Sequence, residues 1–107
     1  MNLPSPIETY FAADRRHDLE TLLQTLAPDA VVRDEGQEHC GLEAIAAWWR
    51  ETKEKYRHCA QPLEGSEAHD TYRVRAEVRG DFPGSPAVLT FGFRLKGDRI
   101  AALEIGV

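Results

Sequence analysis

Apolar residues recur at spacings of three and four along the first half of the chain and at a spacing of two along the second, which predicts helices followed by strands. Ile7, Tyr10, Phe11 and Asp14 share one helical face. Ser5 can cap that helix, Pro6 suits its first position, and Glu8 completes a capping box. Asp18 caps a second helix with a stripe of Leu19, Leu22, Leu23 and Leu26, which Pro28 and Asp29 end. Residues Ala30 to Asp34 read as a short strand, and a polar loop runs from Glu35 to Cys40. Gly41 opens a third helix, Leu42 to about Tyr56, with Leu42, Ile45, Ala46, Trp49 and Tyr56 on one face and Trp48 beside it.

Beyond Tyr56 the pattern changes. Residues His58 to His69 predict a strand interrupted near Pro62 and Gly65. Tyr72, Val74, Ala76 and Val78 alternate with Arg73, Arg75, Glu77 and Arg79, the mark of a half-exposed antiparallel strand. After a turn-rich stretch from Asp81 to Pro86, Ala87, Leu89, Phe91, Phe93 and Leu95 form one face of a long strand. Lys96, Gly97 and Asp98 turn the chain into a last strand, Arg99 to Ile105. Helices early and strands late predict an α+β domain, its helices covering one face of a curved sheet. No linker, repeat or low-complexity segment interrupts it, so residues 1–107 are expected to form a single domain.

Composition narrows the function. A net charge of −5 argues against nucleic-acid or anionic-membrane surfaces, which need basic patches. No apolar run approaches the roughly 20 residues of a membrane span, and the start of the chain lacks the pattern of a signal peptide, so a cytoplasmic protein is expected. The echo of His39-Cys40 in His58-Cys59 invites a zinc reading. Neighbours on an extended segment point to opposite faces, however, and two cysteines make no metal-binding spacing, so no metal is expected. Phosphate-loop, nucleophile-elbow and metalloprotease motifs find no match.

The segment Pro28-Asp29-Ala30-Val31-Val32-Arg33-Asp34-Glu35-Gly36, followed by Gly41-Leu42-Glu43-Ala44-Ile45-Ala46-Ala47-Trp48-Trp49, resembles the SnoaL-like group of the NTF2-like superfamily. The order of elements matches it along essentially the whole chain. The resemblance implies a cone-shaped NTF2-like fold, with three N-terminal helices packed on a curved, mostly antiparallel sheet. It also implies a pocket at the wide end and a homodimer formed through the outer face of the sheet. Ketosteroid isomerases and polyketide cyclases of this superfamily remove a proton next to a carbonyl and stabilise the enolate inside an apolar pocket.

Carried onto this chain, the resemblance implies Tyr10 as the oxyanion donor and Asp34 as the general base. The isomerases' third polar group falls near Phe91, which cannot donate, and a supporting tyrosine falls on Trp49. What remains is an acid–base pocket for an apolar small molecule rather than a steroid isomerase. No cofactor is needed, because the substrate's own carbonyl is the electron sink. The alternative is a non-catalytic ligand-binding or dimerisation module, since fold does not fix function.

Further candidates surround this pair. Asp14 lies one turn beyond Tyr10 and offers a second carboxylate. Trp48 and Trp49 diverge by about 100° on their helix; Trp49 follows the core stripe, and Trp48 could wall the pocket or enter an interface. Phe91 and Phe93 share a strand face and would line pocket or core together. His39, just after Asp34, could shuttle a proton. Glu104 becomes a pocket carboxylate if it points inward and a surface group if it points outward.

Overall fold

A computed structural model describes residues 2–107. Two helices, α1 (Ser5–Arg15) and α2 (Leu19–Gln24), precede the hairpin of β1 (Leu26–Asp34) and β2 (Gln37–Cys40). Helix α3 (Leu42–Tyr56) follows, then β3 (Cys59–Ala68), β4 (Thr71–Arg79), β5 (Ala87–Lys96) and β6 (Arg99–Gly106). The strands form one six-stranded sheet in the order β2-β1-β6-β5-β4-β3. Every neighbouring pair is antiparallel except β1 and β6. Register shifts at Pro62/Glu64, Arg94/Leu95 and Leu26/Val31 break the ladders, and such bulges bend a sheet.

The local signals account for most of these elements. Asp18 caps α2 by accepting the Thr21 amide at 3.1 Å and the Thr21 hydroxyl at 2.7 Å. Gly41 caps α3 at a φ of 85°, a conformation that favours glycine. Three details differ from expectation. Helix α1 starts one residue early with Pro4 as its cap, so Ser5 makes no side-chain cap bond and no capping box forms. Both prolines then occupy the first turn, whose N–H groups have no intrahelical partner in any case. Strand β1 begins at Leu26, before Pro28 and Asp29, because those two exposed residues sit in its irregular stretch, where a missing N–H is tolerated. The polar loop is partly a strand: Glu35 and Gly36, at φ 52° and 75°, make a two-residue turn into β2. Short and charged, β2 carries no alternating pattern, which suits an edge strand.

Period-two alternation sends Val74, Ala76 and Val78 of β4 and Phe91 and Phe93 of β5 to the inner face, beneath the helices. Tyr10 and Phe11 of α1 meet them edge-on, with ring centroids 5.5 Å from Tyr10 to Phe93 and 5.2 Å from Phe11 to Phe91. The outer face is polar, carrying Arg33, Arg73, Arg75, Thr90, Arg94 and Glu104, not the apolar strip that a buried sheet contact would suggest. Among the described residues, no helix is long and apolar enough to cross a membrane.

Phe93 is fully buried at the centre of the aromatic cluster. Its replacement by alanine should cost about 3–5 kcal/mol, a large share of the roughly 5–15 kcal/mol that holds a domain together. Urea unfolding followed by circular dichroism measures that loss directly.

Candidate functional site

A cavity of about 330 Å³ opens between the helices and the inner face of the sheet. Its floor is Tyr10, Phe11 and Phe91, and its rim includes Glu35, Tyr56 and Phe82. Trp48, Thr52 and Tyr56, one helical turn apart, bring one stripe of α3 along it, and Trp49 adds a second indole. Two carboxylates, Asp14 and Asp34, line the same space.

Asp34 reaches the cavity because alternation along β1 turns Ala30, Val32 and Asp34 inward. Its Oδ2 accepts the Trp48 indole N–H at 3.1 Å, its only side-chain donor among the described residues. Burial raises its pKa above the ordinary aspartate value, and Glu35 adds to the rise. The Trp48 bond and the nearby His39 oppose it without cancelling it. The result is a half-buried carboxylate with one oxygen committed and the other unclaimed by any side chain.

Tyr10 is buried, and its hydroxyl makes no hydrogen bond to any described residue. Burial, then the charges of Asp14 and Asp34, push its pKa well above the ordinary value. The phenol therefore stays a proton donor at neutral pH.

Asp14 is held differently. Its Oδ1 accepts the Trp49 indole at 2.9 Å and its Oδ2 accepts Lys53 Nζ at 2.9 Å. Lys53 also donates to the His58 backbone carbonyl at 2.7 Å. Both members of the ion pair are almost fully buried, with side chains 5% and 7% exposed. The ammonium saturates Asp14, so this acid is tied into the frame while Asp34 stays available.

Of the residues singled out from the sequence, Tyr10, Asp14, Asp34, Trp48, Trp49 and Phe91 come together around the cavity. Three do not. Phe93 lies beneath the floor, packed on Tyr10 and Phe11. His39 faces the Trp48 ring at 5.9 Å, and it is the indole, not the imidazole, that lines the cavity. Glu104 points outward, because Leu103 and Ile105 take the inward positions, and it lies beside Arg33 across the parallel pair. Lys53, Glu35 and Phe82 were not singled out from the sequence; Tyr56 was read only as part of the apolar face of α3, and His58 only as half of a possible zinc pair, not as cavity lining. Lys53 follows Trp49 by four residues, a spacing that could have flagged it, but a lysine on a helix is ordinarily solvated. Among the described residues, no three His, Cys, Asp or Glu side chains gather as a metal site would require.

Helices packed on one face of a six-stranded, mostly antiparallel sheet, with a cavity between them, are the arrangement of the NTF2-like fold. The chain belongs to the SnoaL-like domain family, which it matches over residues 7–103. It is similar to a candidate polyketide cyclase from Sinorhizobium meliloti, at 48% identity and a TM-score of 0.93, over 96% of this chain and 94% of that one. A protein of ketosteroid isomerase-like fold from Catenulispora acidiphila, solved with trimethylamine, shares the fold at 19% identity, a TM-score of 0.85 and coverage of 99% and 87%. A candidate polyketide cyclase from Xanthomonas campestris does so at 20% identity, a TM-score of 0.78 and coverage of 94% and 86%. No curated protein matches the chain.

The ion pair predicts a non-additive result. Lys53→Met leaves Asp14 buried without its counter-charge and should cost about 3–5 kcal/mol. Adding Asp14→Asn, which still accepts from Trp49, should recover much of that loss. Urea denaturation of both single variants and the double variant tests the coupling.

Proposed function

We propose that the protein abstracts a proton next to a carbonyl of an apolar ring ligand, with Asp34 as the base. The Cα–H bond breaks, the proton passes to a carboxylate oxygen of Asp34, and the electron pair moves onto the carbonyl oxygen. Tyr10 donates to that developing oxyanion. The enolate then regains a proton elsewhere, as in an isomerisation, or attacks a second carbonyl of the same molecule, as in a cyclisation. The observation that carries this reading is the pairing, in one apolar cavity, of a half-buried acid of raised pKa with an unpartnered phenol. A desolvated carboxylate is a stronger base, and a protonated phenol is the complementary donor. The likeness to a candidate polyketide cyclase at 48% identity supports the same class of chemistry. Trp48, Trp49 and Phe91 would wall the substrate, and Asp14 would serve by fixing Trp49.

The homodimer belongs to this reading too. Two chains would meet through the outer sheet face, and the arginines and Glu104 there would make the contact salt-sensitive.

Exchange of the α-protons of 2-tetralone with deuterated water, followed by proton NMR, tests the chemistry without knowledge of the natural substrate. Asp34→Asn should slow exchange by about 10²–10⁴-fold, and Tyr10→Phe by about 10²–10³-fold. Exchange unchanged in Asp34→Asn would leave a binding module, a reading that apolar Phe91 in the third polar position also fits.

The same carboxyl sets a pH dependence of stability. Its folded pKa lies above the ordinary 3.8, so between those values the native state holds the proton more tightly than the unfolded chain. Stability therefore falls as pH rises through that window, and the cost is fully present at neutral pH. Asp34→Asn should raise the melting temperature at pH 7, with a gain that fades as the pH falls to about 3, where both states are protonated.

A further inference from the structure

Trp48 lines the cavity, but a ring that only walled an apolar ligand would need no N–H, and phenylalanine would serve. Here the indole is buried, and its N–H goes to Asp34 Oδ2 at 3.1 Å. An indole has a single donor, so this ring is committed to that one acceptor. Asp34, in turn, receives no other side-chain donor among the described residues.

The backbone brings the two together from a shared anchor. The Gly41 amide donates to the Ala30 carbonyl at 2.8 Å, joining the start of α3 to β1. From there Trp48 lies about 10 Å along the helix, and Asp34 lies about 13 Å along the strand. The two elements therefore run side by side from that anchor to the indole–carboxylate bond. Pairing of Asp34 with Gln37 fixes the backbone of the acid, and the His39 ring packs on the indole at 5.9 Å. Support of this kind fixes a side chain that must meet a ligand.

We propose that Trp48 is the positioning residue of the base, whose indole N–H holds the Asp34 carboxylate in one orientation and keeps it ionised. This role rests on Asp34 being the base and adds the group through which α3 controls it. Burial is the largest influence on the acid and raises its pKa, and the Trp48 bond is the largest that opposes the rise. The charge of Glu35 adds to the rise, while His39 on β2 and the Glu35 amide also oppose it. Tyr10 on α1 feels the same carboxylate charge. Asp14 and His58 line the cavity as well, with Asp14 already paired to Lys53.

The test removes the N–H and keeps the ring. Trp48→β-(3-benzothienyl)alanine has the indole's shape with sulfur in place of N–H, and Trp48→Phe is a plainer second variant. Loss of a donor to the charged form should move the acid limb of 2-tetralone exchange to higher pH. Above that limb the unsteadied base should work about 10–10²-fold more slowly. Calorimetric affinity for 2-naphthol should be unchanged in the benzothienyl variant, because the wall remains. Carbon NMR of the Asp34 carboxyl should show the same upward move of its titration, with no turnover required. The same sulfur replacement at Trp49, whose acceptor Asp14 is paired with Lys53, should leave the limb in place. A limb and carboxyl titration unmoved by both Trp48 variants, or moved equally by the Trp49 replacement, would overturn the proposal. Exchange still lost in Asp34→Asn would then leave the base assignment standing. Exchange unchanged in Asp34→Asn would remove that assignment, and this role with it, whatever the carboxyl titration shows.

Discussion

A carboxylate taken out of water has to be given donors, and in this protein one helix gives them to two acids through consecutive tryptophans. Trp48 donates to Asp34 on β1, and Trp49 donates to Asp14 on α1. Neighbouring residues on a helix diverge by about 100°, so a single turn of α3 reaches two walls of the same cavity. The acids differ in what else they receive. Asp14 also holds a buried ammonium, and Asp34 has no second side-chain donor. That asymmetry separates a structural acid from an available one.

Lys53 extends the arrangement from electrostatics to architecture. One nitrogen binds a side chain of α1 and the carbonyl that leads into β3, while its stem belongs to α3. Three elements are tied at one buried point, on the side of the cavity that also holds His58. Burying an ion pair is a poor way to gain stability, because desolvation offsets much of the attraction. Its value here is positional: it orients Trp49 and the chain entering β3, two parts of the cavity wall.

The sheet supplies the other half of the container. Phe91 and Phe93 point to the same face two residues apart, yet one lines the cavity and the other lies beneath its floor. The contact of Tyr10 and Phe11 with these rings decides where the core stops and the open space starts. Tyr10 belongs to both regions. Its ring is packed as core, and its hydroxyl is left for whatever enters.

Much of the frame was legible in the amino-acid order. Asp18 as a cap, Gly41 as the start of α3 and the alternation of β4 and β5 are local signals that the fold obeys. So are Asp34 and Tyr10 as candidates, through the resemblance of the surrounding segments to a known family. Hairpin β1–β2 was hidden because a short polar edge strand has no hydrophobic period to reveal it. Lys53 and His58 were hidden for a different reason. Lys53 shares a helical face with Trp49, but that spacing alone does not tell a buried, partnered lysine from a solvated one; whether either group loses water depends on what distant elements bring into contact. Local propensity and periodicity thus determined the helices, the strands and which faces turn inward. Only tertiary packing decided which charges lose water and which polar atoms find partners, because those energies depend on separations between residues far apart in the chain.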